Sequence, residues 1–247
     1  MTDLYDAAGE GDLVEVKELL NKKSYDQRNI NLALIYAAWY DHLKVVEYLV
    51  DNGADVTAQN NKALIDAAYY GHLKTVEYLV NKGSDVTAQD NRALIDAAWY
   101  GRLAVVEYLV NRGADVKARD NRALISAASN GHLEVVQYLV EKGAIIQAQN
   151  NGALIEAALD YNLRVVSFLL EYGARDQNYK ALTELIEEED EEEKTDIIKL
   201  LLEYYYPREV IENLLLQTEN PKIISLLESY LNQKFLISSQ DQKLLRR

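Results

Sequence analysis

Residues 63–89 read ALIDAAYYGHLKTVEYLVNKGSDVTAQ, and residues 93–119 read ALIDAAWYGRLAVVEYLVNRGADVKAR. The same block, shifted by thirty residues, runs outward in both directions. GDLVEVKELL begins at 11, DHLKVVEYLV at 41, GHLEVVQYLV at 131 and YNLRVVSFLL at 161. A second block keeps the phase, from LYDAA at Leu4 and LIYAA at Leu34 to LISAA at Leu124 and LIEAA at Leu154. Each unit therefore has two segments. Leu64, Ala67 and Ala68 stand at helical spacing in the first, and Leu73, Val76 and Leu79 do so in the second, which makes each a short amphipathic helix. The unit is a helical hairpin.

Start and stop signals recur in register. Asn60 and Asn61, Asp90 and Asn91, Asp120 and Asn121, and Asn150 and Asn151 precede the first helix, where their side chains can accept from unpaired first-turn amides. Gly53, Gly83, Gly113, Gly143 and Gly173 follow the second helix, where a left-handed residue closes the last turn. Paired alanines such as Ala67–Ala68 and Ala97–Ala98 are small where neighbouring helices approach, so hairpins are expected to stack.

With these residues in place, the chain resembles the ankyrin repeat family. Its pattern is a T-P-L-H-x-A-A helix, a G-H turn, a V-V-x-x-L-L helix and a G-A-D-V tail. The match covers residues 1 to about 176. The period is shorter than the ~33 residues usual for the family, and Lys62-Ala63-Leu64-Ile65 replaces the T-P-L-H tetrad. The missing residues fall between Val56 and Leu64, where the family has its β-hairpin finger. The resemblance therefore implies an all-α, ankyrin-type solenoid of stacked helical hairpins with shortened fingers. Compact repeats of this kind are similar to those of giant-virus ankyrin proteins.

We divide the chain into residues 1–176, a capping repeat plus five repeats in 30-residue register, and residues 177–247, degenerate repeats and a cap continuing the same solenoid. Ala181-Leu182 with Ile197 to Leu201, and Val210 to Leu216 with Ile223 to Leu227, read as two degenerate hairpins. Polar ends, at Gly9, Glu10, Asp12 and Glu15 and at Ser238 to Arg247, suit a solenoid whose outer faces meet water.

Variation concentrates at the end of each first helix: Gly9-Glu10, Trp39-Tyr40, Tyr69-Tyr70, Trp99-Tyr100, Ser129-Asn130 and Leu159-Asp160. The family resemblance implies that these positions face the concave groove and touch the partner. Trp39, Tyr40, Tyr69, Tyr70, Trp99 and Tyr100 then form a stripe of the side chains enriched at binding hot spots. An aromatic ladder gluing repeats together is the alternative, but such a ladder should continue into the repeats that carry Ser129, Asn130 and Asp160. Asp66 and Asp96 lie three residues before Tyr69 and Trp99 and share their helix face, beside aromatics, a setting that suits a partner's Lys or Arg. An ordinary solvated face is the competing reading. Lys62, Arg92 and Arg122 edge the same groove or merely solubilise the loop.

Tyr48, Tyr78, Tyr108 and Tyr138 recur on the outer helix as structural stacking residues. His42, His72 and His132 sit one per repeat, too far apart to share a metal whose bonds are ~2 Å, and read as turn residues. The run from Glu187 to Glu193 reads as a solvated loop, or as a docking tail for a basic partner.

The formal charge is −14, from 40 acidic and 26 basic side chains, which argues against nucleic acid or an anionic membrane and for a protein partner with a basic face. There is no cysteine, so thiol catalysis and thiolate metal sites are excluded, and a reducing, cytoplasmic setting is expected. No leader or membrane span is expected. Neither a phosphate-cradling loop nor a Ser/His/Asp grouping stands out, so we expect no enzyme, no cofactor and no metal. The expected function is a monomeric scaffold that binds a partner protein through the groove. Two alternatives are an adaptor to ubiquitin-ligase machinery, suggested by the F-box-like Pro207-Arg208-Glu209-Val210-Ile211 with Leu214 and Leu215, and self-association through the stripe.

Overall fold

The computed structural model describes residues 3–187, 194–204 and 206–236, and among these there is helix and no strand. The acidic residues 188–193 and the polar tail 237–247 lie outside the described residues. The fold is the all-α ankyrin-repeat solenoid that the resemblance implies. The chain packs as two compact units, residues 1–127 with 132–145, and residues 128–131 with 146–247.

In the first unit the helical pairs are α1 (Leu4–Glu10) and α2 (Leu13–Lys22), α3 (Gln27–Trp39) and α4 (Leu43–Asp51), α5 (Ala58–Tyr70) and α6 (Leu73–Asn81), and α7 (Ala88–Trp99) and α8 (Leu103–Asn111). They are followed by most of α9 (Ala118–Ser129) and by α10 (Leu133–Glu141). Like helices neighbour like, α1 against α3, α3 against α5 and α5 against α7, with the second helices in a parallel row. The core is the periodic set itself: Leu4, Leu34, Leu64 and Leu94 on first helices, Leu49, Leu79 and Leu109 on second helices, and the alanine pairs between them, all fully buried. Removing one such leucine side chain costs about 2–5 kcal/mol, depending on how far the site collapses.

The expected Asn caps are not what the structure shows. Gln59, Asn60 and Asn61 have φ values of 50°, 56° and 63°, and the same three positions are left-handed at 89–91, 119–121 and 149–151. One left-handed turn thus stands where a finger would protrude, and Asn is among the few non-glycine residues that tolerate it. The third residue of each turn reaches forward rather than into its own helix, and Asn31, which lies in regular helix in α3, makes the same bond. Asn31 Oδ1 accepts from Asp55 N at 2.8 Å, Asn61 Oδ1 from Asp85 N at 2.8 Å, and Asn91 Oδ1 from Asp115 N at 2.7 Å. Each asparagine therefore clamps the repeat that follows it.

A second clamp reaches backward from the turn between the two helices. His42 Nε2 donates to Gly9 O at 2.9 Å, His72 to Trp39 O at 3.0 Å, Arg102 Nε to Tyr69 O at 3.3 Å, and His132 to Trp99 O at 2.9 Å. The histidines are turn residues with a defined task, and Arg102 performs it where the series breaks. The fit leaves no room: a Cβ on Gly101, whose φ is +66°, would stand 2.5 Å from His132 Nδ1. The outer-helix tyrosines form a third row, with Tyr78 OH donating to Glu47 O at 3.5 Å and Tyr108 OH to Glu77 O at 3.4 Å. Lys82 and Arg112 lie over their rings at 5.3 and 5.0 Å.

The second unit contains α11 (Ala148–Leu159), α12 (Leu163–Glu171), α13 (Lys180–Glu187), α14 (Lys194–Leu202), α15 (Arg208–Gln217) and α16 (Pro221–Leu231). Its first pair keeps both clamps, from Asn151 Oδ1 to Arg175 N at 3.2 Å and from Asn162 Nδ2 to Ser129 O at 2.7 Å. The degenerate segments are helical as the sequence indicates, burying Ala181, Leu182, Ile197, Ile198, Leu201, Ile211, Leu214, Ile223 and Leu227. Here a polar node replaces the asparagine clamp. Asp176 caps α13 by accepting from Ala181 N and Leu182 N and also holds Tyr206 OH at 3.0 Å. Burial pushes both its carboxyl and the Tyr206 phenol above their ordinary values.

The clamp makes a measurable prediction. Asn91→Ala should destabilise the protein by about 2–4 kcal/mol, because it leaves the Asp115 amide unmet and puts a Cβ-bearing residue without local hydrogen bonding at a left-handed position. Asn91→Gly keeps the conformation and should cost about half as much. Chemical denaturation midpoints check both, and equal costs for the two variants would discard the conformational part of the account.

Candidate partner-binding site

The ends of α3, α5 and α7 bring the aromatic residues together on the first unit. Trp39 lies 5.6 Å from Tyr70 and 6.2 Å from Tyr40, Tyr70 lies 4.6 Å from Tyr69, and Tyr69 lies 4.1 Å from Tyr100 across the next repeat, ring centroid to ring centroid. The Tyr69 and Tyr100 hydroxyls share a hydrogen bond of 2.6 Å. The backward clamps explain why these ends are held in place: the carbonyls of Trp39, Tyr69 and Trp99 are the groups that His72, Arg102 and His132 grip.

Both readings of the stripe have geometry behind them. The rings do touch from repeat to repeat, as a ladder would. Yet Trp39, Tyr40, Trp99 and Tyr100 remain 36–54 % exposed, which a purely cohesive row of large rings would not leave. Tyr36 is exposed too and packs 5.6 Å from Tyr5, which extends the aromatic surface one repeat earlier.

Asp66 and Asp96 are not on a solvated face. Only 5 % and 8 % of their surfaces are exposed, and each is covered by the basic residue four positions before it in the same helix. Lys62 pairs with Asp66, and Arg92 Nε donates to the Asp96 carboxylate at 2.7 Å. Lys62 also lies 5.7 Å from the Trp39 ring centroid. The (i, i+4) spacing that joins these pairs is present in the sequence and would have signalled them. Burial raises the Asp66 carboxyl above its ordinary value, an effect that Lys62 partly offsets. Its second oxygen, Oδ2, is buried without a hydrogen-bond partner.

Around these groups lies a surface cavity of about 380 Å³ lined by Trp39, Lys62, Ile65, Asp66, Tyr69, Tyr70, Gln89, Arg92 and Asp96. Five of the eight nominated residues meet there, whereas Tyr40, Trp99 and Tyr100 flank it outside the lining. Ile65 and Gln89 were not singled out in the sequence, because an apolar helix residue and a loop glutamine carry no distinguishing pattern. Arg122, the third basic residue at a loop tip, does not line the cavity. Among the described residues no group of three or more His, Asp or Glu side chains is placed to hold a metal, and no helix is long and apolar enough to cross a membrane.

A family model for ankyrin repeats, in three-copy form, matches residues 1–60, 58–120, 94–181 and 124–213. Among solved structures, the ankyrin repeat domain of human ASB11 aligns with a TM-score of 0.70 at 23 % identity, covering 84 % of this chain and 100 % of that one. A likeness at that identity speaks for the fold. No curated protein matches.

The raised Asp66 carboxyl sets a sign for pH dependence. Its folded-state value lies above the ordinary 3.8, so the folded protein holds that proton more tightly than the unfolded chain. Its contribution to stability is therefore largest when protonated, and it declines as pH rises from about 3.8 through the raised value. Relative to Asp66→Asn, which cannot ionise, the wild type should lose stability across that window. Parallel denaturation curves of the two proteins at acidic and neutral pH check this, and a difference that does not change with pH contradicts it.

Proposed function

Because this chain belongs to the ankyrin repeat family, we propose that it is a scaffold that binds a partner protein through the aromatic face formed by the ends of α3, α5 and α7. Ankyrin repeats are generally protein–protein interaction modules. The observation that carries the finer reading is the exposure of the Trp39–Tyr40 and Trp99–Tyr100 pairs, with the half-buried Tyr69 and Tyr70 of the intervening repeat in ring contact with both sides. Large aromatic side chains offer much contact area at low entropic cost, and buried interface centres are enriched in them. The family resemblance implies that this face is the partner-facing one. The net charge of −14 favours a partner with a basic surface. The cysteine-free composition fits a reducing compartment such as the cytoplasm.

The adaptor reading has less support. The family match extends through residue 213, so Pro207 to Ile211 lie within the ankyrin-repeat region, and α15 and α16 pack against each other as a further helical pair.

The test is a paired affinity capture with wild type and the Tyr40→Ala/Trp99→Ala double variant. Both side chains are part-exposed, so the variant should stay folded with a stability loss of about 1–3 kcal/mol, checked by thermal denaturation. Proteins retained by wild type should fall by about tenfold or more with the variant, as expected when hot-spot side chains are removed. Equal retention by both would overturn the docking face. Solution mass measured over a concentration series separates capture from self-association.

A further inference from the structure

The cavity beside the aromatic face holds an element that docking alone does not explain. Asp66 is a carboxylate with 7 % of its side chain exposed, and only one of its oxygens is engaged. A buried acceptor without a donor costs the protein about 1–3 kcal/mol or more, so it persists only where something offsets that cost. Its one partner, Lys62, has 39 % of its side chain exposed and is joined to a helix only by its flexible stem, which makes the ion pair weak and easily exchanged. Trp39, Tyr69 and Tyr70 supply ring surfaces in the same lining. A cation is thus already held there, against an aromatic ring and a buried carboxylate.

The geometry points to an arginine site: a guanidinium from the partner protein enters this cavity, displaces Lys62 from Asp66 and, as the carboxylate turns to bring the buried Oδ2 outward, takes both oxygens and stacks on the aromatic lining. Lys62 is then a placeholder that keeps the carboxylate paired while the site is empty. The inference rests on the docking reading and names the chemistry of the partner's anchor. Arginine is favoured over lysine for two reasons. A planar fork of donors can serve both Asp66 oxygens where a single ammonium serves one, and a weakly hydrated guanidinium stacks well on aromatic faces. The charges facing the cavity are Lys62, Asp66, Arg92 and Asp96, which sum to zero. Expulsion of Lys62 into solvent is therefore what makes room for another cation. Arg92 stays on Asp96, so that pair does not compete.

The chain has two tryptophans, and only Trp39 lines the cavity, so the two indole N–H signals in a proton–nitrogen correlation spectrum report the site and a nearby control. The probe is a short arginine peptide blocked at both ends, compared with the same peptide carrying citrulline, which keeps the shape and loses the charge. Titration should move the Trp39 signal in a saturable way with arginine and much less with citrulline. Asp66→Asn should weaken the arginine affinity by about tenfold or more, the loss of a charge-assisted hydrogen bond. Lys62→Gln, which removes the placeholder, should tighten it several-fold. Circular dichroism of each variant establishes that it is folded, and the two variants move affinity in opposite directions, which a general loss of structure cannot do. An arginine shift that citrulline reproduces, that survives Asp66→Asn, or that weakens in Lys62→Gln overturns the site, as does the absence of any Trp39 response. The capture experiment fails separately: if Tyr40→Ala/Trp99→Ala retains its proteins while Trp39 still responds to arginine, the docking face is wrong and the cation site stands.

Discussion

A thirty-residue hairpin cannot bury its own apolar face, and every other feature of the chain follows from the contact that buries it against the next hairpin. The paired alanines make that contact possible by letting successive first helices approach closely, and the leucines at fixed register fill the space on either side. Burial of this kind is strong but not directional. Two residues that are both apolar and of similar size can slide past each other at little cost, so spacing alone would leave the register loose.

Directional bonds supply the register. The asparagine clamp runs from each repeat to the backbone of the next, and the clamp from His42, His72, Arg102 and His132 runs back to the repeat before. The two act at opposite ends of the first helix. Both use a main-chain partner, so neither depends on which side chain the neighbouring repeat carries at its variable positions. That independence lets the ends of α3, α5 and α7 hold large aromatics while the corresponding end of α9 holds Ser129.

Most of the architecture was legible because burial and helical period leave the same mark thirty residues apart. The helices of the degenerate tail were legible for the same reason, from apolar spacing alone. The conformation of residues 59–61 was not. Asn favours both a helix cap and a left-handed backbone, and the one-dimensional pattern is identical in the two cases. Only the repeat beyond, which offers the Asp85 amide as a donor, decides between them. At the candidate site the aromatics could be placed by their position in the repeat. The pairing of Asp66 with Lys62 and of Asp96 with Arg92 was legible from their (i, i+4) spacing, but the burial of the two carboxylates was not, because it depends on the packing of the neighbouring repeats.

The distribution of those carboxylates bears on what the aromatic face is for. A buried ion pair contributes little net stability and is often weaker than an apolar replacement of the same volume. If the repeats were shaped for stability alone, this position would be occupied uniformly by small or apolar residues. In successive repeats it holds Asp6, Tyr36, Asp66, Asp96, Ser126 and Glu156, and of the four acids only Asp66 and Asp96 are buried. The acid is buried in the two repeats that present Tyr69–Tyr70 and Trp99–Tyr100, whereas Asp6 and Glu156, in repeats that end in Gly9–Glu10 and Leu159–Asp160, are exposed, and the repeat that ends in Trp39–Tyr40 has Tyr36 instead. Stability does not account for such a pairing of an unfavourable buried charge with neighbouring large rings. Recognition of a cationic group does, since charge and ring surface are worth most when they act on the same ligand atom group at a desolvated site.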